Sequence, residues 1–412
     1  MLKLVITSCL FLAAVNSQCF YKDDSSKKLN PQARNNLYKG QLDFTLNLFN
    51  AINKVVPDDN IFFSPFSVYH ALLLAYFASG EQTEKALKQS LQISDKLDKI
   101  NLMAAYKVDK RSRAFNNNSG SYEFNSANKM FVEKTLNVRQ CLLDLMSEEI
   151  ETLNFHENPE DSRKIINDWV ARVTKNNIKD LIPVDGVSEA TKLVLANAAY
   201  FKGAWASKFP AENTNKQVFF VSEARQTLTH FMRQKGSFQY TVSEDLRAQI
   251  LRLPYKGNDI SMYILLPPYS MKEGVSTIIA NLTPERLAAV VEEDYMAREV
   301  VVEIPKFSVE RSLPLRSILE TLGVGDLFDS TSDFSTLTGD SGVKFDDAVH
   351  KAKIQVDEEG TVAAAASAIF GFRSSRPADP TTFIANFPFV YIVYEHPTNS
   401  VLFMGVYRDP KK

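Results

Sequence analysis

The order of hydrophobic patterns predicts an α+β fold, because helical periodicity fills the first third of the chain and strand patterns fill the rest. Three stretches carry this reading. "LDFTLNLFNAINKVV" sets Phe44, Leu48 and Ile52 at helical spacing, with Leu42, Leu46 and Phe49 widening the apolar face. "LVLANAAYF" is an unbroken apolar run, as in a strand buried on both faces. The chain closes on "FPFVYIVYE", the turn "HPTNS" and "VLFMGVY", a hairpin pattern. Helices first and strands later imply antiparallel or mixed sheets.

The individual elements follow from local chemistry. In "SPFSVYHALLLAYFAS", Ser64 is placed to cap a helix and Pro65 sits in the first turn, where its missing N–H costs nothing. Gly80 stops that helix. A further helix is predicted over 161–182, "DSRKIINDWVARVTKNNIKDLI". "AQILRLPY" and "ISMYILLPP" flank "KGND", which reads as a second hairpin.

No glycine- or proline-rich linker, charge block or repeat divides the 412 residues, so one large domain is expected. With 45% apolar and 23% charged residues, the composition is that of a folded protein with a sizeable core. The formal net charge of -2 gives no global attraction for nucleic acid or an acidic membrane surface, and neither is an expected partner. Lys3, the apolar run "LVITSCLFLAAV" and the small residues Val15 and Ser17 form a secretory signal pattern. Residues 1–17 are therefore read as a signal peptide and 18–412 as the mature, extracellular domain. That run is too short to span a bilayer. Cys19 and Cys141 remain after cleavage and can pair, but two cysteines make no disulfide framework. Asn117 ("NNS") and Asn281 ("NLT") are candidate glycosylation sites.

Little in the chain suggests catalysis. The five histidines, His70, His156, His230, His350 and His396, are not spaced for a metal, and no cofactor is expected. "GDSG" at 339–342 resembles the nucleophile region of trypsin-like proteases, but the flanking sequence, the histidine setting and the disulfides of that family are missing. Ser341 without a base is a poor nucleophile, and a polar turn explains it. In "YKVDKRSR", Lys107, Lys110 and Arg111 share a helix face next to Arg113; this cluster suits a heparin-like glycosaminoglycan, or simply a solvated face.

The most unusual stretch is "EEGTVAAAASAIFGFRSSRP" from Glu358 to Pro377, which follows the strand-like "KAKIQVD". Read with period two, Thr361, Ala363, Ala365, Ser367 and Ile369 share one face; Val362, Ala364, Ala366, Ala368 and Phe370 share the other. Neither face carries a charge or a proline. A buried unpaired charge would cost several kcal/mol, and proline would remove a ladder hydrogen bond. The segment is composed to enter a sheet.

Four long motifs, in order, resemble the serpin family: "NIFFSPFSVYHALLLAYFASGEQT", "LANAAYFKGAWASKF", "AVHKAKIQVDEEGTVAAAAS" and "FPFVYIVYEHPTNSVLFMGVY". Together they extend the resemblance over nearly the whole mature chain. It implies helices packed around three mostly antiparallel β-sheets, with an exposed reactive centre loop at about 358–380. It also implies a suicide-substrate inhibitor that acts without a catalytic residue of its own. The loop is cut by a serine protease, and its hinge (Glu359, Gly360, Thr361, Ala363, Ala364, Ala365 and Ser367) inserts into the main sheet while the protease stays covalently attached. Family spacing places the scissile carbonyl at Ser374. Arg373 offers a trypsin-like protease a better lure, while Arg376 is disfavoured by Pro377, giving the order Arg373, Ser374, Arg376. Ser64, Ser67, Asn197 and His350 resemble the polar cluster beneath the centre of that sheet, and Trp205 the tryptophan at its top. A monomer is expected. A secreted member with an arginine lure resembles arthropod haemolymph serpins, which implies a melanisation or Toll-type immune cascade; the alternative is a serpin-fold carrier or storage protein that never inserts its loop.

Overall fold

The computed structural model of the protein describes residues 19–21, 24, 28, 30, 33–116, 122–268, 274–293, 295–339, 342–359 and 380–411. The helices are α1 (Ala33–Asn36), α2 (Gln41–Val55), α3 (Pro65–Ala78), α4 (Glu81–Ser90), α5 (Lys99–Asn116), α6 (Gln140–Leu145), α7 (Pro159–Val173), α8 (Gly274–Asn281), α9 (Pro284–Glu292), α10 (Leu315–Thr321) and α11 (Ser335–Thr338). The strands are β1 (Ile61–Phe63), β2 (Tyr122–Glu133), β3 (Ile150–Leu153), β4 (Leu193–Gly203), β5 (Asn215–Ser222), β6 (Arg225–Ser243), β7 (Ala248–Pro254), β8 (Ile260–Leu266), β9 (Ala297–Pro305), β10 (Phe307–Pro314), β11 (Asp347–Val356), β12 (Thr381–Ile384), β13 (Phe389–Glu395) and β14 (Ser400–Tyr407). Helices dominate the first third and strands the rest, but the two are interleaved more than the sequence predicts: β1 precedes α3, and α8 to α11 lie among the later strands.

Two sheets organise these strands. The first follows the order β1-β14-β13-β8-β7-β6-β9-β12, with β5 paired to β6. Its long strand β6 pairs with β5 over 225–231, with β9 over 231–239 and with β7 over 239–243, so that two of the three expected sheets are joined through it into one. The second has five strands in the order β10-β11-β4-β2-β3. At its centre β11 and β4 run parallel, pairing from Asp347↔Val194 to Ile354↔Phe201, while β10 and β2 flank them antiparallel. This parallel seam is the feature that positions the site.

Helix α3 is predominantly apolar and buried on every side, the pattern of a central core helix rather than a surface one. Ser64 caps it as expected, its hydroxyl accepting from Ser67 N–H at 3.0 Å. The helix predicted over 161–182 stops at Val173. Thr174 diverts the backbone there: its hydroxyl donates to Val170 O at 2.8 Å and accepts from Ile178 N–H at 3.1 Å, and Lys175 and Asn176 turn into the left-handed region. Ile178, Leu181 and Ile182 are still buried, in a small second core with Ile166 and Val170. Their spacing therefore reported burial without reporting a helix. Cys19 and Cys141 are joined in a disulfide.

β14 threads between β1 and β13 in the middle of the first core, and Gly405 shows how tightly. A Cβ there would lie 2.5 Å from Ile61 O and 2.5 Å from the Tyr391 ring. Gly405→Ala is expected to lower stability by about 3 kcal/mol, the upper range for overpacking, measured as a drop in apparent melting temperature.

Candidate functional site: the seam between two parallel strands

Beneath the middle of the β4–β11 seam lies a closed polar cluster. His350 projects from β11 and Asn197 from β4 at paired positions, both wholly buried. Ser64 N–H donates to His350 Nε2 at 3.1 Å, which fixes Nε2 as an acceptor and leaves the proton on Nδ1, facing Asn197 Oδ1. Asn197 Nδ2 donates to Ser67 O at 3.0 Å and to Ser67 Oγ at 2.7 Å. Ser64 Oγ donates to Leu402 O at 2.7 Å. The cluster continues to two residues that sequence reasoning missed: Ser126 Oγ lies 2.8 Å from Ser67 Oγ, and Asn128 adjoins Asn197. Both project from β2 at i, i+2 spacing, a signal visible in "NSAN" as two polar residues on one strand face. Helix α3 thus holds three strands together with hydrogen bonds that break if the seam parts.

The chemistry of this cluster is structural. Both ring nitrogens of His350 are engaged, and burial pushes its pKa down to about 3. His70 is held likewise between Tyr38 Oη and Phe66 O, and burial, partly offset by Asp109, lowers it to about 4. Neither is available as a general base. Ser341 lies outside the described residues. Among the described residues, no group of His, Cys, Asp and Glu is arranged to hold a metal ion.

The upper end of the seam is built differently. Pairing between β11 and β4 stops at Ile354↔Phe201, before either strand ends. Trp205 closes the gap: its ring stacks on Tyr255 with centroids 4.4 Å apart, and its Nε1–H donates to Asp357 O at 2.9 Å. Phe209 N–H donates to Glu358 O at 3.1 Å. Glu358 accepts from Lys306 Nζ at 2.6 Å and from Thr214 Oγ1 at 2.8 Å, and Glu359 pairs with Lys208 at 3.1 Å. Burial opposes the Glu358 charge, but Lys306, the backbone and Thr214 outweigh it and hold its pKa below the ordinary value. Thr214 and Lys306 carry no distinctive sequence pattern, and Lys208, although within "LANAAYFKGAWASKF", has nothing in that stretch to mark its partner. The rest of the hinge, Gly360, Thr361, Ala363, Ala364, Ala365 and Ser367, lies outside the described residues, as do Arg373, Ser374 and Arg376.

The other predicted residues lie away from the seam. Lys107, Lys110 and Arg111 occupy α5 as expected, with Lys110 and Arg111 exposed. Lys110 is held by Glu148 and Glu149, and Arg113 turns inward to Asp109 at 2.8 Å and Glu395 at 2.7 Å. Arg113 also lies 4.1 Å from the Phe66 ring centroid, so its charge is used internally. Asn281 ends α8, half-buried, and Asn117 is outside the described residues. Among the described residues, no helix is long and apolar enough to cross a membrane.

The two buried histidines set an acid limit. An unfolded histidine titrates near 6.5, so below that pH the unfolded chain binds protons that buried His350 and His70 refuse. Stability is full above about 6.5 and falls as the pH drops towards the folded values near 3 and 4. Acidifying from pH 7 to about 5 should cost about 2 kcal/mol per buried histidine. His350→Ala is expected to lower stability at neutral pH by about 3 kcal/mol through unpaired Ser64 N–H and Asn197 Oδ1, and to flatten the acid slope, both read from melting curves.

Comparison with known proteins agrees with this geometry. The family model for "Serpin (serine protease inhibitor)" matches residues 39–410. Serine protease inhibitor 88Ea of Drosophila melanogaster is 40% identical over 394 residues, covering 92% of each chain. Antithrombin-III of Mus musculus is 34% identical over 421 residues, covering 96% of this chain and 89% of its own. Uncleaved ovalbumin superposes with a TM-score of 0.80 over 91% of this chain and 100% of its own, at 24% identity, which speaks to the fold alone. With a polar cluster under a parallel seam, a tryptophan at its open end and a family match across most of its length, the chain belongs to the serpin family of protease inhibitors.

Proposed function

We propose that the protein is a secreted suicide-substrate inhibitor of trypsin-like serine proteases. The observation that carries this reading is the uncharged, proline-free stretch 361–370 that follows β11 in the chain, together with the parallel pairing of β11 with β4. The protease serine attacks the scissile carbonyl, an ester to the enzyme forms, and the peptide bond breaks, with the new amino group leaving on the C-terminal fragment. The freed hinge then turns back and enters the seam. It runs antiparallel to both β4 and β11 and replaces one parallel ladder, the weaker kind per residue, by two antiparallel ones. That gain drives the acylated protease away from its loop before water can release it.

Arg373 is the first choice for the scissile residue, because its guanidinium suits a carboxylate-bottomed pocket and Ser374 follows it without obstruction. The Cys19–Cys141 disulfide supports secretion, since such bonds persist in oxidising compartments. Likeness to a Drosophila melanogaster serine protease inhibitor supports a protease as the partner. The place in an extracellular immune cascade of the melanisation or Toll type rests on the arginine lure and the secretory signal pattern of the sequence. A polysaccharide accelerator is left out of the proposal, because Lys110 and Arg113 already spend their charge on Glu148, Glu149, Asp109 and Glu395.

Mixing the full chain with trypsin should give a complex that survives SDS, and Thr361→Arg should turn the inhibitor into a plain substrate. Cleavage of the unmodified protein without a complex would instead favour a carrier or storage role. Mass spectrometry should find the cut after Arg373, and Arg373→Ala should slow inhibition about a hundredfold, the worth of roughly 3 kcal/mol of charge-assisted hydrogen bonding. Sequencing of the secreted product should begin at Gln18; an intact Met1 would count against export.

A further inference from the structure

The N-terminal residues form a clasp that the inhibitory reading does not use. Cys19 is 2% exposed and bonded to Cys141 in the first turn of α6. The Asp24 carboxylate closes a turn around it, accepting from the N–H groups of Cys19 at 2.7 Å, Phe20 at 3.2 Å and Tyr21 at 2.7 Å. The next two side chains dock on the end of the helical layer. Phe20 lies 6.3 Å from Phe77 of α3 and 5.9 Å from Lys99 Nζ, and Tyr21 Oη accepts from Lys99 N–H at 3.3 Å. Beneath them Lys99 is 2% exposed and satisfied by Ser79 O at 2.5 Å and Glu84 at 2.9 Å. A buried ammonium needs such a cover, so this contact is a built one.

The position of α6 gives the clasp a mechanical meaning. α6 lies in the chain between β2 and β3, two of the three strands on one side of the seam. Insertion of a strand widens the seam by about 4.8 Å, so β4, β2, β3 and the helix between them must shift as a group against β10, β11 and whatever holds those. Arg139, at the start of α6, spans that division. Its N–H donates to Leu337 O at 2.8 Å and its Nη1 to Thr336 O at 3.3 Å, both on α11 just ahead of β11 in the chain. The same Nη1 donates to Cys19 O at 3.1 Å. The disulfide therefore fixes α6, within the moving group, to the segment 19–21, which docks on Phe77 of α3 and on Lys99, while Arg139 joins the start of α6 to α11 by hydrogen bonds.

We propose that the Cys19–Cys141 clasp restrains parting of the five-stranded sheet and so sets the rate at which the loop inserts. This rests on the insertion mechanism proposed above. Breaking the clasp accelerates insertion in both settings, after cleavage by a protease and spontaneously in the uncut molecule.

The test uses the secreted full chain and the Cys19→Ser/Cys141→Ser double variant. On mild heating, the double variant should lose inhibitory activity about tenfold faster, the change given by each 1.4 kcal/mol taken off a barrier, and pass into a heat-resistant uncut form. Phe20→Ala, which keeps the disulfide but strips the cover from Lys99, should show a smaller acceleration; it also serves if the double variant fails to fold. Equal or slower loss of activity in both variants overturns the proposal. If the unmodified chain forms neither a protease complex nor a heat-resistant form, the inhibitory reading has failed instead. Amide exchange along β4 and β11 then decides the clasp alone: faster exchange in the variants supports it, and unchanged exchange rejects it.

Discussion

Two strands that run the same way lie side by side at the centre of the five-stranded sheet, and the remaining architecture is arranged around that adjacency. β4 and β11 could each accept an antiparallel neighbour on the edge they now share. The native arrangement leaves that better pairing unmade and holds the seam shut with the parallel ladder and with side chains below and above it. Below it, α3 offers Ser64 and Ser67 to both strands. Above it, Trp205, Thr214, Lys306 and Lys208 fasten Asp357, Glu358 and Glu359, the first residues of the departing chain. The sheet is closed by side chains at two points rather than by an optimal ladder along its length. Such a state can be stable to heat and still release free energy when a new strand becomes available.

Much of the fold was legible because burial leaves strong patterns. The wholly buried α3, its Ser64 cap and the Pro65 start can be read directly, as can the two hairpins. The run "LVLANAAYF" gave a central strand, although its parallel partner could not be inferred from it. The misreading of 174–182 as helix has a clear cause. Ile178, Leu181 and Ile182 keep a helical spacing because they fill a small core, while Thr174 and the left-handed Lys175 and Asn176 end the helix through local hydrogen bonding and backbone geometry. Periodicity measures which side chains are buried; it is blind to how the backbone brings them there.

The site was legible where a motif was long and obscure where a contact was singular. Ser64, Ser67, Asn197, Trp205 and His350 lie within recognisable stretches and meet at the seam. Ser126, Asn128, Thr214 and Lys306 do not announce themselves, since a serine on a strand or a lysine after a proline is ordinary until the tertiary fold supplies its partner. Arg113 illustrates the converse. It reads as one of four surface cations, but the fold turns it against Phe66 between two carboxylates. Charge in a sequence says what is present, and only packing says where it has been spent.

Ser64 joins elements that are usually considered apart. Its hydroxyl caps α3 and reaches Leu402 in β14, while its backbone N–H holds His350 in β11. A helix end, a strand of the first sheet and the seam of the second therefore share one residue. Fraying of the helix and loosening of the seam become a single cooperative event, so a disturbance deep in the core, far from the loop, is felt where the loop would enter.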